Sequence, residues 1–127
     1  MRNDTTVSVR YIVDDVAKAV DFYTHHFDFV VGLQAPPFAE VTRGNLRLLI
    51  SGPASSAGRA MADGEVPTPG GWNRIHLLTD DIEADVARLR EAGVPFRNDI
   101  VVGPGGSQIL AIDPAGNFVE VFQPAGA

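Results

Sequence analysis

Apolar and polar positions alternate with period two over residues 6–13. Val7, Val9, Tyr11 and Val13 fall on one face and Ser8, Arg10 and Ile12 on the other, which predicts a strand. Asp14-Asp15 follows. Either side chain can accept from the free N–H groups of a first helical turn. Val16, Ala19, Val20, Tyr23 and Phe27 then recur at helical spacing, so the helix is expected to run to about residue 27. Short strands are predicted over 29–33 and 38–43, separated by Ala35-Pro36-Pro37. Gly44-Asn45 reads as a hairpin turn before an apolar strand from Leu46 to Ser51.

The pattern lapses over 52–71, which holds five glycines, three prolines, four alanines and two serines. It is expected to be a linker, with a lid as the alternative, since long structureless segments serve as one or the other. The pattern then restarts. Asn73 to Thr79 reads as a strand, with Ile75 and Leu77 on one face and Arg74, His76 and Leu78 on the other. Asp80-Asp81 caps a second helix with the stripe Ile82, Val86, Leu89, stopped by Gly93 and Pro95. Strands are expected over Phe96–Val102 and Gln108–Ile112 around a Gly103-Pro-Gly-Gly turn. The last strand follows the turn Asp113-Pro-Ala-Gly-Asn. Val119 and Val121 face one way; Phe118, Glu120 and Phe122 face the other.

The two halves repeat one unit. Asp14-Asp15-Val16 matches Asp80-Asp81-Ile82, and Gly44-Asn45 matches Gly116-Asn117, each before an equivalent element. The expected fold is α+β: tandem βαβββ modules over 5–51 and 72–124, joined by linker 52–71 in a single domain of residues 1–127. Curved mixed sheets would surround a cleft, with the helices outside.

Composition narrows the chemistry. At 127 residues the chain can bury roughly two thirds of its unfolded surface, enough for a core without staples. Cysteine is absent, which removes disulfides, thiolate metal sites and cysteine nucleophiles and fits a cytoplasmic location. A formal charge of −6 argues against nucleic acid as a partner. No secretory leader and no apolar run of membrane-spanning length is expected from the sequence.

Val13-Asp14-Asp15-Val16 with Phe22-Tyr23, Asp80-Asp81-Ile82 with Leu89-Arg90-Glu91-Ala92-Gly93-Val94, and Asp113-Pro114-Ala115-Gly116-Asn117-Phe118-Val119-Glu120 carry a resemblance. In this order and doubled spacing the chain resembles the vicinal oxygen chelate superfamily, which includes glyoxalase I, extradiol dioxygenases, fosfomycin-resistance enzymes and bleomycin-binding proteins. Metal-dependent members take ligands from the first and last strands of each module. Carried over by position, the resemblance implies Ser8 and Arg74 on the first strands and Leu48 and Glu120 on the last. Only Glu120 is a good donor, and an arginine cannot coordinate a cation. A divalent metal is therefore disfavoured, and no cofactor is expected.

Arg74 and Glu120 instead occupy converging places and are expected to pair, to satisfy two buried charges or to address a ligand as well. His76 shares their face, either as a hydrogen-bonded structural histidine or as a ligand contact. His25 and His26, at the end of the first helix, form no ligand spacing with it. Ser8, Arg10, Phe38, Leu48, Trp72, Arg74, His76, Phe118, Glu120 and Phe122 make up the candidate ligand-binding set, with Glu120 and His76 as candidate acid–base groups. Three readings follow: a metal-free binding protein of bleomycin-resistance type that sequesters an amphiphilic or aromatic compound; a glyoxalase-like lyase, isomerase or dioxygenase with Glu120 as base or an atypical metal; or a protein whose cleft is filled by its own side chains. The resemblance also implies a homodimer.

Overall fold

A computed structural model of the chain describes residues 5–126. It divides between Gly70 and Gly71 into two compact units. The first contains β1 (Val7–Ile12), α1 (Val16–His26), β2 (Val30–Ala35), β3 (Phe38–Arg43) and β4 (Leu46–Ser51). The second contains β5 (Ile75–Leu78), α2 (Ile82–Glu91), β6 (Val101–Gly103), β7 (Gly106–Ile112) and β8 (Phe118–Pro124). The fold is α+β, with two four-stranded mixed sheets of order β1-β4-β3-β2 and β5-β8-β7-β6. In each, the first strand runs parallel to the last and the other neighbours are antiparallel. Among the described residues no helix is long and apolar enough to cross a membrane.

The helices begin where the acidic pairs put them. The Asp15 carboxylate accepts from the Lys18 amide at 3.1 Å, and Asp81 accepts from the Ala84 amide at 3.1 Å. Gln123 of β8 adds a second cap by accepting from the Ile82 amide at 2.9 Å. Past the helix ends the chain turns through left-handed backbone, at Asp28 (φ 60°) and at Gly93 (φ 86°). The apolar stripes bury Val16, Ala19, Val20 and Tyr23 from α1 and Ile82, Val86 and Leu89 from α2. On the sheets, Tyr11, Ala39, Val41, Leu48 and Ile50 are buried in the first unit. Ile75, Leu77, Ile109, Ala111, Val119 and Val121 are buried in the second. Alternation along each strand leaves the intervening side chains on the other sheet face.

One predicted element differs from the structure. The segment expected to be a strand over Phe96–Val102 pairs regularly only from Val101. Pro95 and the Asn98-Asp99 turn residues intervene. Asn98 takes the Leu110 amide with its side-chain Oδ1 at 3.0 Å, and only a lone bridge, Phe96 to Ala111, survives upstream. Residues 52–71 form neither helix nor strand. Their first part is nevertheless tied down: the Gly52 amide donates to the Pro37 carbonyl at 2.9 Å, and the buried Ser55 hydroxyl donates to the Gly52 carbonyl at 2.6 Å. A β-carbon on Gly58 would lie 2.0 Å from the Gly52 carbonyl oxygen.

Candidate functional site

The turn before β8 sets the candidate site. Asp113 is buried, and its Oδ1 accepts from the Ala115 and Asn117 amides at 2.9 and 2.8 Å. Gly116 supplies the positive φ, 94°, that closes the turn. From Phe118 the strand alternates. Val119 and Val121 enter the core, while Phe118, Glu120 and Phe122 share the opposite face. Glu120 lies beside His76 of β5 and Leu110 of β7 in the ladder.

Glu120 is a buried carboxylate with 8% of its side chain exposed, and it is held firmly through one oxygen. Its Oε1 receives both Arg74 Nε and Arg74 Nη2, each at 2.9 Å. The pair is thus a two-nitrogen grip on one oxygen rather than two parallel bonds. The second oxygen, Oε2, faces His76 Nε2 at 3.5 Å. Arg74 Nη1 donates to the Trp72 carbonyl at 3.1 Å, which fixes the chain just ahead of β5. Aromatic rings border this polar centre: Trp72 packs on Phe118 with centroids 5.2 Å apart, and His76 on Phe122 at 4.7 Å. Trp72 is 65% exposed and His76 is also open to solvent, so the face is accessible. The second unit therefore brings together Trp72, Arg74, His76, Phe118, Glu120 and Phe122.

The remaining candidates lie in the first unit. The exposed Ser8 hydroxyl accepts from Arg47 Nε at 2.9 Å, and Arg10 Nη1 donates to Ser51 Oγ at 2.9 Å. Phe38 is half-buried at the start of β3. Leu48 must be removed from the set. It is wholly buried on the core face, opposite Val9 and Val41. Matching Gly44-Asn45 to Gly116-Asn117 displaces the repeat by one residue. Gly44-Asn45 joins paired Arg43 and Leu46 directly, whereas five residues separate Ile112 from Phe118. Counted along the ladders, Arg10 pairs with Leu49 as His76 pairs with Glu120, so the counterpart of Glu120 is Leu49. A slip of one residue moves a side chain to the other face. His25 and His26 stay at the end of α1. His25 bonds the Asp21 carbonyl oxygen at 2.8 Å, and the His26 ring meets Phe22 at 5.4 Å.

One participant has no sequence signal of its own. Arg97 lies in the loop before β6, and its guanidinium stands 5.9 Å from the centroid of the Trp72 ring. A lone arginine after Pro95-Phe96 carries no spacing that marks it. Its relevance comes only from the tertiary approach to Trp72.

The profile of the Glyoxalase/Bleomycin resistance protein/Dioxygenase superfamily matches residues 5–121. The chain belongs to this superfamily. Among solved structures, the superfamily fold recurs in TnmS3, an antibiotic-binding protein from Streptomyces sp. CB03234, at 26% identity and TM-score 0.74, covering 98% of this chain and 99% of that one. A superfamily member from Sphaerobacter thermophilus is 28% identical with TM-score 0.74, over 93% and 95% of the two chains. A lactoylglutathione lyase from Agrobacterium tumefaciens, 24% identical with TM-score 0.72 over 97% and 96%, shares the fold. No match was found among curated protein sequences.

Metal-dependent members of the superfamily imply a test of the donors present. Glu120 is the one carboxylate on its sheet face, and its Oε1 is already held by a guanidinium whose charge would repel a cation. His76 adds a single nitrogen. Among the described residues no three His, Asp or Glu side chains stand together as a metal-binding group. Divalent catalytic sites use three or more such donors, so these residues do not fit one.

Proposed function

We propose that the protein is a small-molecule-binding member of the superfamily that works without the usual metal and holds an aromatic or amphiphilic compound. The observation that carries this reading is Trp72. A large indole, 65% exposed, packs at a tilt on Phe118 beside the Arg74–Glu120 charge pair. Aromatic rings with a few fixed polar groups are the usual lining of small-molecule sites. The Arg74–Glu120 pair would set orientation, through guanidinium N–H groups left at its rim and through the His76 edge. The description of TnmS3 as an antibiotic-binding protein supports the same class of function.

Trp72 is the only tryptophan, so fluorescence excited selectively at tryptophan, apart from the two tyrosines, reports on this surface alone. Titration with a panel of planar aromatic natural products should give saturable quenching for at least one compound. Calorimetry should show its affinity reduced at least about tenfold in Trp72→Ala, the loss expected for a stacked aromatic anchor. A panel with no saturable response would end the proposal. The enzymatic reading draws on the 3.5 Å approach of His76 to Glu120 Oε2. Chemical conversion of a bound compound, abolished in Glu120→Gln, would favour it instead.

A further inference from the structure

The second unit holds an open groove of about 410 Å³ outside the Arg74–Glu120 cluster, lined by Arg90, Val94, Phe96, Arg97, Asn98 and Asp99. Its volume falls in the range of small-molecule sites. The floor is fixed rather than loose. The Arg97 amide donates to the Leu110 carbonyl at 2.8 Å, Asn98 Oδ1 accepts from the Leu110 amide at 3.0 Å, and the Ile112 amide donates to the Pro95 carbonyl at 3.0 Å. The groove segment is thereby stitched to β7.

Two guanidinium groups border this floor, and both are positioned by aromatic faces. Arg90 stands 5.4 Å from the Phe96 centroid and Arg97 stands 5.9 Å from that of Trp72. A guanidinium set over a ring by cation–π attraction still has N–H groups to donate to oxygen acceptors. Arg90 has other duties: it lies 3.5 Å from the fully exposed Asp99 carboxylate, and its charge complements the carbonyl end of α2. Arg97 has no such duty. Among the described residues no carboxylate pairs with it. A protein of net charge −6 does not draw anions by its overall field. A local cation is what could hold one, and Arg97, whose charge no carboxylate offsets as Asp99 offsets that of Arg90, supplies it.

We infer that this groove takes the anionic head, a carboxylate or phosphate, of an amphiphilic ligand whose aromatic body rests on Trp72. Arg97 belongs to both surfaces, and so joins head to body. The inference rests on the binding function proposed above and narrows its ligand class.

Calorimetry of the full chain with 2-naphthoate, 2-naphthyl phosphate and 2-naphthamide separates the two. At least one anion should bind about tenfold more tightly than the neutral amide, the gain of one charge-assisted contact. The tighter of the two anions identifies the head group. Arg97→Gln should erase the preference, with the melting curve confirming a folded protein, and Arg90→Gln should reduce it. Equal affinity for all three compounds overturns the anion site and leaves the aromatic-binding function standing. Failure of all three to bind overturns the anion site, and the panel titration then decides the broader function separately. A preference that survives both substitutions removes the groove as its source.

Discussion

The two units share a ladder and differ in what they hang on it. Counted along the parallel pairs, Ser8, Arg10, Arg47, Leu49 and Ser51 in the first unit correspond to Arg74, His76, Phe118, Glu120 and Phe122 in the second. In the first, arginines are held by small hydroxyls, Arg10 on Ser51 and Arg47 on Ser8, and the ladder place of Glu120 is apolar. In the second, that place is a buried carboxylate held by an arginine and flanked by rings. One sheet face carries the fold in both units, and the other is free to carry chemistry. Superfamily membership therefore fixes the first and leaves the second to individual residues.

The largest effects should come from glycines that each unit cannot replace. A β-carbon on Gly106, whose φ is 147°, would lie 2.1 Å from the Gln123 carbonyl oxygen. On Gly58 it would meet the Gly52 oxygen at 2.0 Å. Gly106→Ala should destabilise the β7–β8 hairpin, and Gly58→Ala the turn after β4, each by about 3 kcal/mol or more in urea unfolding. A loss below about 1 kcal/mol in either would mean that the backbone there yields easily.

Next comes an exchange between the units. Arg74→Ser leaves the buried Glu120 without its cation and should cost about 1–3 kcal/mol, the penalty of an unpaired buried group moderated because Arg74 is itself part-exposed. Adding Glu120→Leu copies the first unit's Ser8 and Leu49 and should restore most of that stability, because a well-packed apolar group replaces a buried charge at little cost. The doubly substituted protein should still lose ligand binding. If both single substitutions prove neutral in urea unfolding, the pair contributes little that water would not.

The smallest effect tests what the units hold in common. Asp15→Ala and Asp81→Ala remove equivalent caps, and each should cost about 1 kcal/mol in thermal unfolding. Asp81 should cost less, since Gln123 also caps α2. A larger loss at Asp81 would show that the second cap cannot compensate.

Much of the fold was legible because its signals are local. The doubled Asp-Asp caps, the alternation of Val7, Val9 and Tyr11, and the Asp113–Asn117 turn each act over a few residues. The approach of Arg74 to Glu120 was legible too, because parallel first and last strands bring residues of one face together. What was hidden depends on lengths and distant partners. Leu48 was misplaced because two glycine-containing turns of unequal length look alike in sequence. The strand expected from Phe96 gives way because Asn98 spends its side chain on the backbone of β7. Arg97 could not be found at all, since nothing near it in sequence foretells Trp72.

The strand order has a consequence for the time course of folding. Among the described residues, the first strand of each unit pairs only with the last, 39 residues on from Val7 to Leu46 and 44 from Ile75 to Val119. Closing chains of these lengths differs by only about 0.1 kcal/mol of entropy. On an emerging chain, β1 and β5 must therefore wait for β4 and β8, while the intervening hairpins form early. Both sheets are completed by a long-range pairing, the kind of contact that raises contact order and slows folding. In the second unit that closing strand also brings in Glu120, so the last structural step and the assembly of the charged centre are one event.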